Sequence, residues 1–94
     1  MYKIYHSKKY TKSLKKIIRS GRYKNFDFSE LNNLIDDIAL CKKLDIKYQD
    51  HSLAGKMSVY RECHIKSDLL LVYQIKKDEL ILLLVNIKNH SNLF

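Results

Sequence analysis

A chain of 94 residues, 46% hydrophobic and 30% charged, has the makings of one folded domain with a single modest core, and is neither disordered nor embedded in a membrane. Eighteen Lys and Arg against ten Asp and Glu leave a net charge of +8, which points to a polyanionic partner. The longest apolar runs, Leu69 to Tyr73 and Leu80 to Val85, fall far short of the roughly 20 residues that span a bilayer.

The charge is unevenly spread. Nine basic residues, from Lys3 to Lys24, precede the first acidic one, Asp27. No apolar stretch follows this basic start, so no signal peptide is expected and the protein reads as cytoplasmic. Cys41 and Cys63 lack CxxC spacing and are expected to be buried thiols.

In chain order, Tyr2 to Tyr5 alternates as a short first strand does. Ser7 supplies an N-cap oxygen, and apolar residues at Tyr10, Leu14, Ile17 and Ile18 predict a helix that ends at Gly21. Lys8, Lys9, Lys12, Lys15 and Lys16 fall mostly on its outer face. Asp27 with Glu30 has the spacing of a capping box, with Ser29 as a rival cap. Leu31, Leu34, Ile35, Ile38 and Cys41 mark the buried face of the helix that follows, and Lys42 and Lys43 suit its negative end.

From Leu44 to Ser58 the pattern is polar and irregular, a loop carrying Asp50 and His51. Val59 to Ile65 then alternates with period two. That sets Tyr60, Glu62 and His64 on one face and Val59, Arg61, Cys63 and Ile65 on the other, so Arg61 needs a bulge or a paired carboxylate. Lys66 to Asp68 is a tight connection. Leu69 to Ile75 and Leu80 to Ile87 are apolar on both faces, as central strands are, with Lys76 to Glu79 as the turn between them. The predicted fold is α+β over residues 1–94 as one domain: two N-terminal helices packed on one side of a small antiparallel sheet.

Between Asp50 and Tyr73, histidines, carboxylates and an arginine interrupt what otherwise reads as buried sheet. Buried polar groups without partners are costly, so their presence calls for a reason. With His90 near the end, the histidines are expected to meet at the rim of the sheet and act on RNA. His6 matches no motif and reads as structural.

Four blocks carry a resemblance: Tyr48-x-Asp50-His51-x-Leu53-x-Gly55, Arg61-Glu62-x-His64-x-x-x-Asp68, Leu71-Val72-Tyr73 and His90-x-x-Leu93-Phe94. Together they resemble the YafQ branch of the RelE-type bacterial toxins. The resemblance implies a small sheet with two N-terminal helices, cleavage of messenger RNA in the ribosomal A site without metal or cofactor, and neutralisation by a cognate antitoxin. It associates activity with His51, His64, Asp68, His90 and Phe94. Departures from the pattern are Leu69 where related toxins carry tryptophan, Asn86 where an arginine is frequent, Lys88 where a glycine is frequent, and Ser52 and Ser67 in place of prolines.

Metal-free RNA cleavage needs a base for the 2′-hydroxyl, an acid for the leaving oxygen and positive charge on the phosphorane. On this reading His90 and His51 form the proton-transfer pair, and His64 orients or shares that role. Asp68 holds a histidine tautomer or serves as the acid. Arg61, Lys88 or Lys56 binds phosphate, Phe94 offers a stacking face, and Lys9, Lys12 and Lys16 extend the RNA contact. A zinc site built from His51, His64 and His90 lacks the short ligand spacings that would support it. The alternative is a module of the same fold that binds RNA or an antitoxin and cleaves weakly or not at all.

Overall fold

The computed structural model describes residues 1–89; His90 and Phe94 lie outside the described residues. A short strand β1, Lys3–His6, leads into helix α1, Lys8–Arg19, and then α2, Ser29–Ala39. A two-residue strand β2, His51–Ser52, precedes the meander β3, Arg61–Lys66, β4, Leu69–Lys76, and β5, Ile81–Asn89.

Local chemistry sets the helix ends. Ser7 Oγ accepts from the Tyr10 amide at 3.0 Å, the capping bond that its residue type favours. Past Ser20, Gly21 takes φ +71°, the left-handed C′ conformation that glycine adopts without a Cβ penalty. Asp27 opens α2: its Oδ1 accepts from the Ser29 amide at 2.9 Å and its carbonyl from the Glu30 amide at 3.0 Å. Those bonds to Ser29 favour the ionised carboxylate and lower its pKa.

The strands lie in the order β1-β5-β4-β3-β2. β1 pairs parallel with β5, Lys3 opposite Ile81 and His6 opposite Leu84, while every other pairing is antiparallel. The sheet is therefore mixed and five-stranded, a correction to the antiparallel sheet expected from the pattern. A parallel pair needs a long crossover, and the whole chain between β1 and β5 supplies it.

One side of the sheet carries the core. Cys63, Leu71, Leu82, Leu84 and Ile87 are fully excluded from solvent there, each apolar side chain stabilising the fold by about 1.5–3 kcal/mol. Tyr10, Leu14 and Ile17 of α1 and Leu31, Leu34, Ile35 and Ile38 of α2 join that cluster. The helices are not equivalent: α1 lies directly against β5, whereas α2 stands further from the strands and reaches the core through its side chains. Cys41 is exposed rather than buried, because it takes φ +61° just past α2 and turns off the helix's apolar stripe. Cys63 is buried, and loss of solvation pushes its thiol pKa up to about 12.

A bulge decides what β5 shows on each face. Val72 pairs with Asn86 and Tyr73 with Leu84, so Val85 has no opposite residue. Upstream, Leu82 and Leu84 face the helices; beyond the bulge Ile87 and Asn89 do, and Asn86 and Lys88 turn to the other side. Ser7 holds the bulge in place: its amide donates to the Leu84 carbonyl at 3.0 Å and its hydroxyl to the Val85 carbonyl at 2.7 Å.

Candidate active site on the open face of the sheet

Directly opposed residues in a sheet share a face. His51 opposes Glu62, Glu62 opposes Val72 and Val72 opposes Asn86. One step along, His64 opposes Leu70 and Leu70 opposes Lys88. These two rows lie on the face away from the helices and bring together two histidines, a carboxylate and a lysine.

Glu62 is their junction. Its side chain is only 14% exposed, with Oε1 3.8 Å from His51 Nε2 and Oε2 3.6 Å from Lys88 Nζ. Lys88 starts on β5 and Glu62 on β3, so the lysine stem must cross β4. Leu70 and Val72, which lie on that path, are buried although they face away from the helices.

The imidazole of His51 is oriented by backbone. Its Nδ1 lies 2.6 Å from the Gln49 carbonyl, which can only accept, so Nδ1 carries the hydrogen and Nε2 is the free nitrogen of the neutral ring. Gln49 makes this possible by taking φ +49°, ψ +41°, a left-handed conformation that costs a non-glycine residue on the order of 1–3 kcal/mol.

Arg61 does not join this group. It alternates to the helix face, where its Nε and Nη2 donate to Asp50 Oδ2 at 3.2 and 2.8 Å. The Tyr73 hydroxyl donates to the other oxygen, Asp50 Oδ1. The bond to Asp50 raises the Arg61 pKa, and burial followed by the bond to Asp50 raises that of Tyr73. The paired carboxylate that Arg61 requires is thus Asp50.

Asp68 also lies apart. Its Oδ2 accepts from the Tyr23 hydroxyl at 2.9 Å and sits 3.4 Å from Arg22 Nη2. Tyr23 in turn accepts from Asn89 Nδ2 at 2.7 Å. Asp68 therefore anchors the end of β5, one residue before His90, and touches neither His51 nor His64 through any of these bonds. Burial, then the bond to Asp68, raises the Tyr23 pKa.

Of the basic residues of α1, Lys16 comes nearest to this face. Lys9, Lys12 and Lys16 are exposed at helical spacing. A 310 Å³ groove lined by Ser13, Lys16, Asn86 and Lys88 links the helix to the end of the open face. In it Asn86 Oδ1 is buried and has no hydrogen-bond partner among the described residues. Lys56 is exposed on a short 3₁₀ turn, Gly55–Met57, in the chain between β2 and β3. Glu62 stands in the Arg61-Glu62-x-His64 block but the resemblance gives it no role; its period-two register with His64 places it in the site. The Gln49 carbonyl leaves no signal in sequence.

The protein is thus a small α+β domain whose charged residues gather on the sheet face away from the helices. The family model describing the YafQ bacterial toxin of type II toxin–antitoxin systems matches residues 2–94, and the chain belongs to that family. A YafQ toxin of Haemophilus influenzae is 59% identical over 27 residues, a match covering 29% of this chain and 26% of that relative's length. Among solved structures, a metal-bound toxin from Helicobacter pylori is 46% identical with a TM-score of 0.86, both chains covered completely. The Escherichia coli DinJ–YafQ complex aligns over 100% of this chain and 99% of that one, at a TM-score of 0.77 and 23% identity, which speaks to fold alone.

Proposed function

We propose that this toxin is an endoribonuclease that cleaves messenger RNA in the ribosomal A site through attack of the ribose 2′-hydroxyl. The observation that carries the reading is the grouping of His51, Glu62, His64 and Lys88 on one sheet face, linked to Lys16 of α1 by a groove. His51 Nε2 takes the 2′-hydroxyl proton, since its other nitrogen is committed to the Gln49 carbonyl. The 2′-oxygen then attacks phosphorus, the bond to the 5′-oxygen breaks, and a second histidine, His64 or His90, returns a proton to that oxygen. The products are a 2′,3′-cyclic phosphate and a free 5′-hydroxyl.

Lys88 is the cation best placed for the phosphorane, because Arg61 is occupied by Asp50 on the other face of the sheet. It exchanges Glu62 for the scissile phosphate when RNA arrives. Lys56 and the row Lys9, Lys12 and Lys16 contribute charge along the strand, and Phe94 a stacking face. Asp68 acts by fixing the end of β5, and so the point from which His90 departs.

We further propose a cytoplasmic protein held inactive by a cognate antitoxin that covers this positive surface, as suits a toxin of a type II system. The Helicobacter pylori relative is named as metal-bound. Among the described residues no three His, Cys, Asp or Glu side chains converge as a metal site, and the steps above are carried by the chain's own groups.

Mapping the ends of RNA cut by purified toxin tests the reading. Cyclic phosphate and 5′-hydroxyl ends, formed roughly 10²–10⁴-fold more slowly by a His51→Ala variant, are the expected result. RNA bound without such ends would make the chain a binding module of the same fold, a reading that Asn86 in the place of a frequent arginine would suit.

A further inference from the structure

We propose that Asp50, Arg61 and Tyr73 form a positioning clamp that sets the orientation of His51 from the opposite face of the sheet. The catalytic consequence rests on the ribonuclease reading; the mechanical part does not.

The need for a clamp comes from the weakness of β2. It is two residues long and, among the described residues, lies at the sheet edge and pairs only with β3. It follows a single 3₁₀ turn, Ile46–Tyr48, that ends in the left-handed Gln49. Two ladder positions do not hold a strand end against fraying. A histidine 50% exposed on that strand has little packing of its own to fix it.

Asp50 supplies what the ladder lacks. Strand alternation sends its side chain to the helix face and the next one, His51, to the open face. Both oxygens of the carboxylate are taken, Oδ2 by Arg61 on β3 and Oδ1 by Tyr73 on β4. Tyr73 is 2% exposed and part of the core, so Asp50 is tied to the rigid centre of the sheet. Asp50 lies between Gln49 and His51 in the chain, so holding it holds the backbone on which the Gln49 carbonyl and the His51 ring make their 2.6 Å bond. None of the three clamp residues approaches Glu62 or Lys88 through these bonds. They act through His51.

Tyr73→Phe removes the bond to Oδ1 while keeping the ring in the core, and Arg61→Gln weakens the bonds to Oδ2 from the more exposed side. In nitrogen-15 spectra of the free wild-type toxin the neutral His51 ring should show one protonated nitrogen, Nδ1, and one bare nitrogen, Nε2. Both variants should lose that separation as the tautomers average. In cleavage, each should lower kcat by roughly 10- to 100-fold, the scale of a misplacement near 1 Å, with KM little changed. In a His51→Ala background neither should cost anything further.

An unaltered His51 tautomer in both variants would overturn the clamp. So would an equal loss of kcat in the presence and absence of the His51 imidazole. Failure of the wild-type toxin to cleave RNA at all would instead remove the ribonuclease reading, and the spectra would still decide the clamp.

Discussion

Replacing Lys88 with glutamine separates chemistry from stability more sharply than any other single change on the open face. In the folded protein Lys88 Nζ is 3.6 Å from Glu62 Oε2, with the two side chains 30% and 14% exposed. A pair that loose, with its lysine partly exposed, contributes about 0–1 kcal/mol. For a domain of this size 1 kcal/mol moves Tm by about 4–8 °C, so Lys88→Gln should melt within that range of wild type. Its effect on cleavage should be far larger. If the ammonium moves from Glu62 to the phosphorane, it is worth what one preorganised donor to a developing oxyanion is worth, roughly 10²–10³ in kcat. Single-turnover cleavage of an end-labelled RNA, run beside a thermal melt of the same sample, measures both. Lys88→Arg should retain most of the activity. A Lys88→Gln toxin that cuts within threefold of the wild-type rate, where a loss of about 10²–10³ is expected, would leave the phosphate cation to be sought elsewhere.

Other outcomes follow from the same geometry. Log affinity for single-stranded RNA should fall linearly with log salt, and replacing Lys9, Lys12 and Lys16 with glutamine should flatten the slope by about 0.7 for each phosphate no longer neutralised; an unchanged slope would assign the α1 face to another partner. Millimolar EDTA should leave folding and cleavage intact, whereas activity lost to EDTA and restored by a divalent metal would place a metal ion in the mechanism. Exposed Cys41 should alkylate readily and buried Cys63 only on unfolding. Because burial raises the Cys63 thiol from 9.0 to about 12, its contribution to stability is complete below pH 9.0 and lost as pH rises toward 12, when the unfolded thiol ionises first. A Cys63→Ala variant with unchanged alkaline unfolding would refute that linkage.

Much of this architecture is written in local pattern. The Ser7 cap, the Tyr10-Leu14-Ile17 stripe, Gly21 and the apolar face of α2 are legible because each is a short-range choice between water and neighbour. The meander from β3 to β5 is legible for the same reason. What is not legible is relational. Nothing in Tyr2 to Tyr5 tells which strand it will join or in which direction, and its partner lies at the far end of the chain. β2 is too short to show a period. The Val85 bulge is invisible in a run apolar on both sides, yet it decides that Asn86 and Lys88 face the histidines while Ile87 faces the core. Period two does place Arg61 with Cys63 and Glu62 with His64, and both placements hold. Family motifs draw attention to Arg61 as a phosphate ligand, whereas alternation alone sets it on the other side.

On the ribonuclease reading, a carboxylate in the middle of the site needs its own account, since Glu62 would repel the phosphate that Lys88 attracts. Its position suggests two opposing effects. In the resting protein it holds Lys88 and faces Nε2 of His51, so an incoming phosphate must displace it from the lysine. That exchange weakens ground-state binding. On the same reading His51 gains a proton on that Nε2 during reaction, and a carboxylate 3.8 Å away would stabilise the imidazolium as it forms. Glu62→Gln keeps the shape and removes the charge. It should therefore lower KM, because RNA no longer competes with a carboxylate for Lys88, and lower kcat, because the charged imidazolium loses its counterion. Both numbers falling together is a signature that misfolding does not produce, since a loosened site raises KM. Steady-state cleavage across a range of RNA concentrations reads the two constants separately. A rise in KM with kcat unchanged would mean that Glu62 contacts the RNA favourably and has no part in the proton transfer.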